Sequence, residues 1–152
     1  MIEAGEAAPD FELQSDAGET VRLSDFRGKP VVLYFYPRDE TPGCTAQACG
    51  IRDAWGEFER AGAAVLGVSP DGVESHQAFK RGHDLPFTLL ADPDHAVAEA
   101  YGAWGEKKSY GRTYEGILRT TYVIGPDGIV TDVFEDVQPA THADDVLAAL
   151  SV

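Results

Sequence analysis

The feature that most constrains the fold is a junction between an apolar run and a segment with helical periodicity. Residues 31–36 read Val-Val-Leu-Tyr-Phe-Tyr, and a run of β-branched and aromatic residues of this kind indicates a buried strand. Beyond it, apolar side chains recur at helical spacing, at Cys44, Ala48, Ile51, Trp55 and Phe58. A buried strand that leads into an amphipathic helix is typical of an α/β sheet with helices packed on it.

The remaining segments predict one α/β domain over residues 1–152. A short N-terminal β-hairpin is expected at 9–13 and 20–23, followed by a helical turn at 24–30. Further strands are predicted at 64–69, 87–90, 117–124 and 129–134, and helices at 41–60, 73–81, 92–101 and 141–150. Residues 102–116 predict a long loop. Because strands and helices alternate over short connections, we expect parallel strands with right-handed crossovers, with an antiparallel pair near the end.

The composition and net charge of the chain limit the compartment and the partners that we expect for it. A hydrophobic content of 43% in 152 residues supports a folded core, and no run approaches the length of a membrane-spanning helix. The first residues are acidic and lack the basic and apolar regions of a signal peptide, so we expect a cytoplasmic protein. The net charge of −14 disfavours nucleic acid and anionic membranes as partners, because the field of the protein repels phosphate.

The two cysteines are too few for a disulfide framework, and in a reducing compartment a catalytic or redox use is more common. Cys44 and Cys49 lack the two-residue gap of a zinc site. The four histidines fall at no metal-ligand spacing along the chain: His76, His83, His95 and His142. We therefore expect no metal and no other cofactor.

Cys44 is predicted to lie in the first turn of the helix. With Thr41 as N-cap and Pro42 as the first helical residue, the thiol faces unpaired backbone amides and the positive end of the helix dipole. Both favour a thiolate. We expect the Thr41 hydroxyl oxygen to accept a bond from the Cys44 amide, which leaves the hydroxyl hydrogen for the sulfur. Pro37 ends the preceding strand and can form one wall of the pocket.

Arg119 is the best candidate for a second cation at this site. On the predicted strand 117–124 it shares a face with Ile117, Thr121 and Val123, where a guanidinium is costly unless it meets an anion. A thiolate or a substrate oxygen would be such a partner. The alternative is an arginine at the edge of the sheet with its stem packed and its head in solvent.

Cys49 follows Cys44 by five residues, about 140° around a helix and about 8 to 9 Å away between Cα atoms. That exceeds the limit of about 7 Å for a disulfide, so the helix must unwind if the two cysteines pair. Cys49 lies off the apolar stripe and is expected to be reachable. Asp39 and Glu40 would disfavour a thiolate if they faced it, and we expect both to point outward.

These residues form a set that resembles the peroxiredoxin active site, in particular the peroxiredoxin Q (bacterioferritin comigratory protein) branch. The core motif is Pro37-x-x-x-Thr41-x-x-Cys44 with Cys49 five residues on. The resemblance runs nearly from end to end and includes Tyr34-Phe35-Tyr36-Pro37, Thr41-Pro42-Gly43-Cys44-Thr45, Ala48-Cys49-Gly50-Ile51-Arg52-Asp53, Tyr101-Gly102-Ala103-Trp104-Gly105-Glu106-Lys107 and Arg119-Thr120-Thr121-Tyr122-Val123-Ile124.

The resemblance implies a thioredoxin-like fold with an N-terminal β-hairpin extension and a central mixed sheet flanked by helices. It implies that Cys44 is the peroxidatic thiolate for hydrogen peroxide and organic hydroperoxides, with Pro37, Thr41 and Arg119 shaping the pocket. Cys49 matches the resolving cysteine of an intramolecular disulfide, which thioredoxin, or alternatively glutaredoxin, would reduce. An intramolecular pair needs no second subunit, so a monomer is expected.

Two other functions are compatible with a cysteine helix. A general thiol–disulfide oxidoreductase of the thioredoxin type would use Cys-x-x-Cys at the helix start, a spacing that this chain lacks. A non-enzymatic binding module would keep its cysteines as structural residues. A structural cysteine does not require the Thr-Pro-Gly sequence that precedes Cys44, which makes the binding module the less favoured function.

Overall fold

The computed structural model describes residues 2–150, except for the side chain of Ser109. It contains nine strands: β1 Glu12–Ser15, β2 Thr20–Arg22, β3 Val31–Phe35, β4 Ala64–Ser69, β5 Thr88–Ala91, β6 Trp104–Ser109, β7 Arg112–Ile117, β8 Thr120–Ile124 and β9 Val130–Phe134. A 3₁₀ turn lies at Leu23–Phe26. The α-helices of the described chain are α1 Pro42–Asp53, α2 Trp55–Arg60, α3 Val73–His83, α4 Ala96–Tyr101 and α5 His142–Leu150.

A seven-stranded sheet in the order β2-β1-β5-β4-β3-β8-β9 forms the centre of the fold. Strands β3, β4 and β5 are parallel, whereas β1 pairs antiparallel with β5, β8 with β3, and β9 with β8. This confirms the predicted mixed sheet and the N-terminal hairpin. Strand β3 is buried along its whole length, as its composition predicts.

The two faces of β3 serve two hydrophobic cores, because side chains alternate along a strand. Val31, Leu33 and Phe35 pack in the core that also contains residues of α4. Val32 and Tyr34 pack in the core that holds residues of α1, α2, α3 and α5. Helix α1 therefore lies on the same face of the sheet as α5, with its buried stripe against β3.

Several predicted boundaries were wrong. Residues 102–116 are not a loop: β6 and β7 form a two-stranded hairpin that turns at Tyr110 and Gly111, both at positive φ. The predicted helix 41–60 is interrupted at Ala54, where the backbone leaves helical geometry. The predicted strand 117–124 is split, because Leu118 and Arg119 link β7 to β8.

Helix α4 begins at Ala96, not at the predicted Asp92–Pro93 pair. Asp92 lies before the helix but still satisfies its N-terminal amides, because its carboxylate accepts bonds from the amides of Val97 at 3.3 Å and Ala98 at 3.0 Å. Within residues 2–150 no helix is long and apolar enough to cross a membrane.

Candidate active site

Cys44 lies in the first turn of α1 and is 1% exposed. Thr41 is the N-cap with extended backbone angles, and Pro42 is the first helical residue, as predicted. The Thr45 amide makes the first helical bond, to the Thr41 carbonyl at 2.8 Å. The amides of Gly43 and Cys44, which precede it, have no partner within the helix and add partial positive charge at the helix start.

The prediction for the Thr41 side chain was wrong. Its hydroxyl does not cap the helix and instead donates to the Arg38 carbonyl at 2.9 Å. The intervening turn explains this, because Glu40 adopts a positive φ of 65° and brings the Arg38 carbonyl back towards Thr41. With its hydrogen committed to Arg38, the Thr41 oxygen keeps lone pairs that can accept a bond from another group.

Arg119 contacts the sulfur across a sequence separation of 75 residues. Its Nη2 donates to Cys44 Sγ at 3.2 Å, so this guanidinium lies beside a group able to carry negative charge. Its Nη1 donates to the Gln47 side-chain oxygen at 2.8 Å. Arg119 reaches the site from the two-residue link before β8, not from within a strand. Held by two different acceptors, the planar guanidinium has little freedom to rotate.

Gly43 makes room for the guanidinium. A Cβ atom at this position would lie 2.9 Å from Arg119 Nη2, closer than real Cβ contacts come. We expect Gly43→Ala to push the guanidinium off the sulfur and lower the rate of Cys44 with peroxide about tenfold, since small displacements at a reacting centre are costly. Stopped-flow measurement of the single-turnover rate checks this.

Gly50→Ala is the matched control on the same helix. A Cβ atom there meets only Ala143, at the ordinary distance of 3.9 Å. Both substitutions replace a glycine of α1 by a residue of higher helix propensity. Equal rates for the two variants would contradict the role given to the Gly43 gap.

Gln47 and His142 belong to the site and were missed by sequence reasoning. Both are 1% exposed, and the Gln47 amide nitrogen lies 3.2 Å from His142 Nδ1. His142 Nε2 lies 2.8 Å from the Thr121 hydroxyl. Gln47 could have been suspected, because a polar residue three positions after Cys44 faces the same side of a helix. No local pattern points to His142, which lies 95 residues from Gln47.

The expectation for Asp39 was also wrong: its side chain points inward and is 2% exposed. It accepts bonds from the Tyr36 hydroxyl at 2.6 Å, Ser75 at 2.8 Å and His76 Nδ1 at 2.7 Å. Burial raises the pKa of Asp39, but the bonds from His76, Tyr36 and Ser75 outweigh it and hold the pKa below its usual range. This network ties the turn in front of Thr41 to α3.

Glu40 does point outward, as predicted, and pairs with His83 at 3.1 Å on the surface. Pro37 is half-buried at the end of the strand, between Tyr36 and the turn. Within the described residues, no three His, Cys, Asp or Glu side chains come together as a metal site.

Cys49 is half-buried, and both cysteines are free thiols. Helix α1 is continuous from Pro42 to Asp53, so the two Cα atoms keep the helical separation of about 8 to 9 Å. At that separation the thiols cannot form a disulfide while α1 is intact.

Comparison with known proteins identifies the family. The model of the AhpC/TSA family matches residues 4–133. The chain belongs to the AhpC/TSA family. It is 48% identical to Peroxiredoxin Bcp of Bacillus subtilis (strain 168) over 149 residues, 98% of this chain and 95% of the relative. It is also 48% identical to Peroxiredoxin Bcp of Escherichia coli (strain K12) over 146 residues, 96% and 94% of the two chains.

Solved structures agree with this assignment to the AhpC/TSA family. The bacterioferritin comigratory protein of Xanthomonas campestris is 38% identical, with a TM-score of 0.91 over 98% of both chains. A PrxQ mutant of Xylella fastidiosa is 32% identical, with a TM-score of 0.93 over 99% of this chain and 96% of that one. The resemblance to the peroxiredoxin Q branch and the thioredoxin-like fold are thereby confirmed.

The surface beside Arg119, whose guanidinium contacts the sulfur, is concave. A pocket of about 300 Å³ lies there, lined by Lys107, Leu118, Arg119, Asp136, Val137 and Gln138. Burial lowers the pKa of Lys107, and the nearby Arg119 charge lowers it further. The pocket therefore combines positive charge with the apolar side chains of Leu118 and Val137.

Proposed function

We propose that this chain is a thioredoxin-dependent peroxidase that reduces hydrogen peroxide and organic hydroperoxides as a single domain over residues 1–152. The observation that carries the proposal is the bond of 3.2 Å from Arg119 to Cys44 Sγ at the start of α1. Helix dipole, free amides and guanidinium all stabilise a thiolate there. A buried, stabilised thiolate beside an open pocket is suited to nucleophilic attack on a small substrate.

In the first step the Cys44 thiolate attacks the terminal oxygen of the hydroperoxide. The S–O bond forms as the O–O bond breaks, and Cys44 becomes a sulfenic acid that keeps the hydrogen of the terminal oxygen. The leaving alkoxide or hydroxide takes up from water the equivalent of the proton that the thiol lost on ionising, and departs as alcohol or water. Negative charge moves from sulfur to the leaving oxygen. The Arg119 guanidinium lies beside the sulfur and can also stabilise the negative charge that develops on the leaving oxygen. An interaction that strengthens in this way stabilises the transition state more than the ground state.

Thr41 and Pro37 are assigned supporting roles in this step. Because the Thr41 hydroxyl donates to the Arg38 carbonyl, its oxygen is left to accept a bond from the O–H of the peroxide. Pro37 offers no amide hydrogen that would compete for the substrate, and we assign it to one side of the approach to Cys44.

In the second step Cys49 attacks the sulfenic sulfur, water leaves, and an intramolecular disulfide forms. Because the intact helix holds the two thiols too far apart, α1 must unwind between them first. Thioredoxin, or alternatively glutaredoxin, then reduces the disulfide by thiol exchange and returns both thiols.

The relatives support the chemistry. The Xanthomonas campestris protein is described with alkyl peroxide reduction activity, and the Bacillus and Escherichia relatives are peroxiredoxins.

The acidic net charge of −14 is unfavourable for binding nucleic acid or an anionic membrane. We further propose a cytoplasmic monomer, since the intramolecular pair needs no partner subunit.

The test is peroxide-dependent consumption of NADPH coupled through thioredoxin and its reductase. We expect Cys44→Ser to abolish turnover and Cys49→Ser to consume about one equivalent of peroxide before it stops. Mass spectrometry of the oxidised native chain should show a loss of two hydrogens that maps to a Cys44–Cys49 disulfide.

Two outcomes would point elsewhere. Reduction of insulin disulfides without peroxide turnover would favour the general thiol–disulfide oxidoreductase. Inactivity in both assays, with the fold intact, would leave the cysteines as structural residues.

A further inference from the structure

His142 is the first residue of α5 and lies buried beside the active site, where the proposed reaction makes no use of it. Its ring is packed against Tyr34 of β3, with 5.6 Å between ring centroids. Its two nitrogens contact Gln47 of α1 and Thr121 of β8. A buried imidazole with both nitrogens engaged connects three elements at one point.

The directions of the hydrogen bonds from Arg119 through Gln47 and His142 to Thr121 follow from the guanidinium, which can only donate. A guanidinium only donates, so the Gln47 oxygen must face Arg119 Nη1 and the Gln47 amide nitrogen must face His142. That amide nitrogen also only donates. His142 Nδ1 therefore accepts and carries no proton.

The ring proton consequently sits on Nε2, which donates to the Thr121 hydroxyl oxygen at 2.8 Å. Burial lowers the pKa of His142, Asp145 on the same helix acts to raise it and the Arg119 charge to lower it, and together they place the pKa at about 4. The other titratable groups nearby are Tyr34 on β3 and, beyond Gln47, Cys44 on α1. Above about pH 4 the ring is neutral, as the bonding pattern requires.

We propose that His142 is a positioning residue: its ring fixes the orientation of the Gln47 amide and thereby the place of the Arg119 guanidinium. This rests on the proposed function, since it assigns Arg119 to the Cys44 thiolate. A ring with its proton on Nδ1 would turn the Gln47 oxygen towards itself. The amide NH₂ would then face the guanidinium, two donors would oppose each other, and the bond to the sulfur would be lost.

Thr121 is the distal end of this series of hydrogen bonds, because its hydroxyl oxygen accepts the bond from the ring N–H at Nε2. It touches neither the sulfur nor the guanidinium in any bond described above. A change at Thr121 can therefore affect Cys44 only through the ring and the amide. Thr121→Val removes the acceptor with little change of shape and is the most selective probe.

The test measures alkylation of Cys44 by iodoacetamide against pH in a Cys49→Ser background, where Cys44 is the sole thiol. We expect Thr121→Val and His142→Leu each to raise the pH midpoint by about one unit, which is a loss of about tenfold in thiolate stabilisation. The rate with hydrogen peroxide near neutral pH should fall in step. His142→Gln should stay close to the parent, because its amide can accept from Gln47 and donate to Thr121.

Val146→Ala is the matched control for packing, since Val146 is fully buried on the same helix and has no polar atom in its side chain. It should lower the melting temperature and leave the alkylation midpoint unchanged. The proposal is overturned if the folded Thr121→Val and His142→Leu variants keep the parent midpoint, or if Val146→Ala shifts it as far. Alkylation needs no peroxide, so the result stands whether or not the chain proves to be a peroxidase.

Discussion

Replacing Arg119 by methionine is expected to lower the second-order rate constant of Cys44 with hydrogen peroxide by about 100- to 1,000-fold, the usual cost of removing one donor aimed at developing charge. Methionine keeps the length and the apolar stem of the side chain. It removes the bond of 3.2 Å to the sulfur and the bond of 2.8 Å to Gln47. The charge that grows on the leaving oxygen then has no cation beside it. Stopped-flow fluorescence in single turnover measures this rate directly.

Two further variants make the Arg119 prediction specific. Arg119→Lys should recover only part of the rate, because one ammonium cannot bond both Gln47 and the sulfur in the fixed geometry of a fork. Arg112→Met removes an exposed arginine from β7 and tests for a general loss of positive charge. A loss of less than about fivefold in Arg119→Met, or an equal loss in Arg112→Met, would contradict the role assigned to Arg119.

Replacing Asp39 by asparagine is expected to lower the free energy of unfolding by about 3 to 5 kcal/mol, the range for breaking a buried ion pair from one side. His76 is fully buried, and its Nε2 donates to the Leu90 carbonyl at 2.9 Å while Nδ1 faces Asp39. Both nitrogens therefore face acceptors within hydrogen-bonding distance. Asparagine would replace the buried carboxylate by a neutral amide, which bonds His76, Tyr36 and Ser75 less strongly. Urea denaturation followed by tryptophan fluorescence measures the loss.

The neighbouring carboxylate provides the matched control for Asp39. Glu40 also pairs with a histidine, at 3.1 Å, but its side chain is 57% exposed. Glu40→Gln should therefore change stability by less than about 0.5 kcal/mol. In a double-mutant cycle, Asp39→Asn and His76→Phe together should cost less than the sum of the single changes. Simple additivity would show that the pair is not coupled.

The same carboxylate should add an acid-sensitive part to the stability. Since the pKa of Asp39 is lowered in the folded state, the unfolded chain binds more protons at low pH. The contribution is present above the ordinary value of 3.8 and is lost as pH falls through the folded pKa. Asp39→Asn should therefore flatten the acid side of the stability profile, and Glu40→Gln should leave it unchanged.

Much of the active-site segment could be predicted from the sequence because its structure is decided locally. The β-branched and aromatic composition of β3 specifies a buried strand in almost any surroundings. Pro42 marks the start of α1, since its fixed φ and its missing amide hydrogen suit the first helical position. Thr41 takes the N-cap position before it, although its hydroxyl bonds elsewhere. The five-residue spacing of Cys44 and Cys49 then implies, from helix dimensions, that the thiols cannot pair unless the helix opens.

Side chains whose partners lie far along the chain could not be placed in this way. Arg119 was identified because a guanidinium on an apolar face needs an anion, but the prediction that it lies within a strand was wrong, since it lies in the link between β7 and β8. Asp39 was predicted to point outward because a carboxylate near a thiolate is unfavourable. The structure instead supplies His76, 37 residues away, to compensate its burial. Whether a polar group is buried depends on such distant partners.

The sequence by itself determined the strand, the helix start, the two cysteines and the need for a cation. Only the tertiary structure decided which groups surround that cation. Gln47 and His142 come from helices that pack together across 95 residues of chain, and no local pattern encodes that contact. The physical reason is that backbone propensities act over a few residues, whereas the direction of a hydrogen bond depends on every donor and acceptor that folding brings to one place.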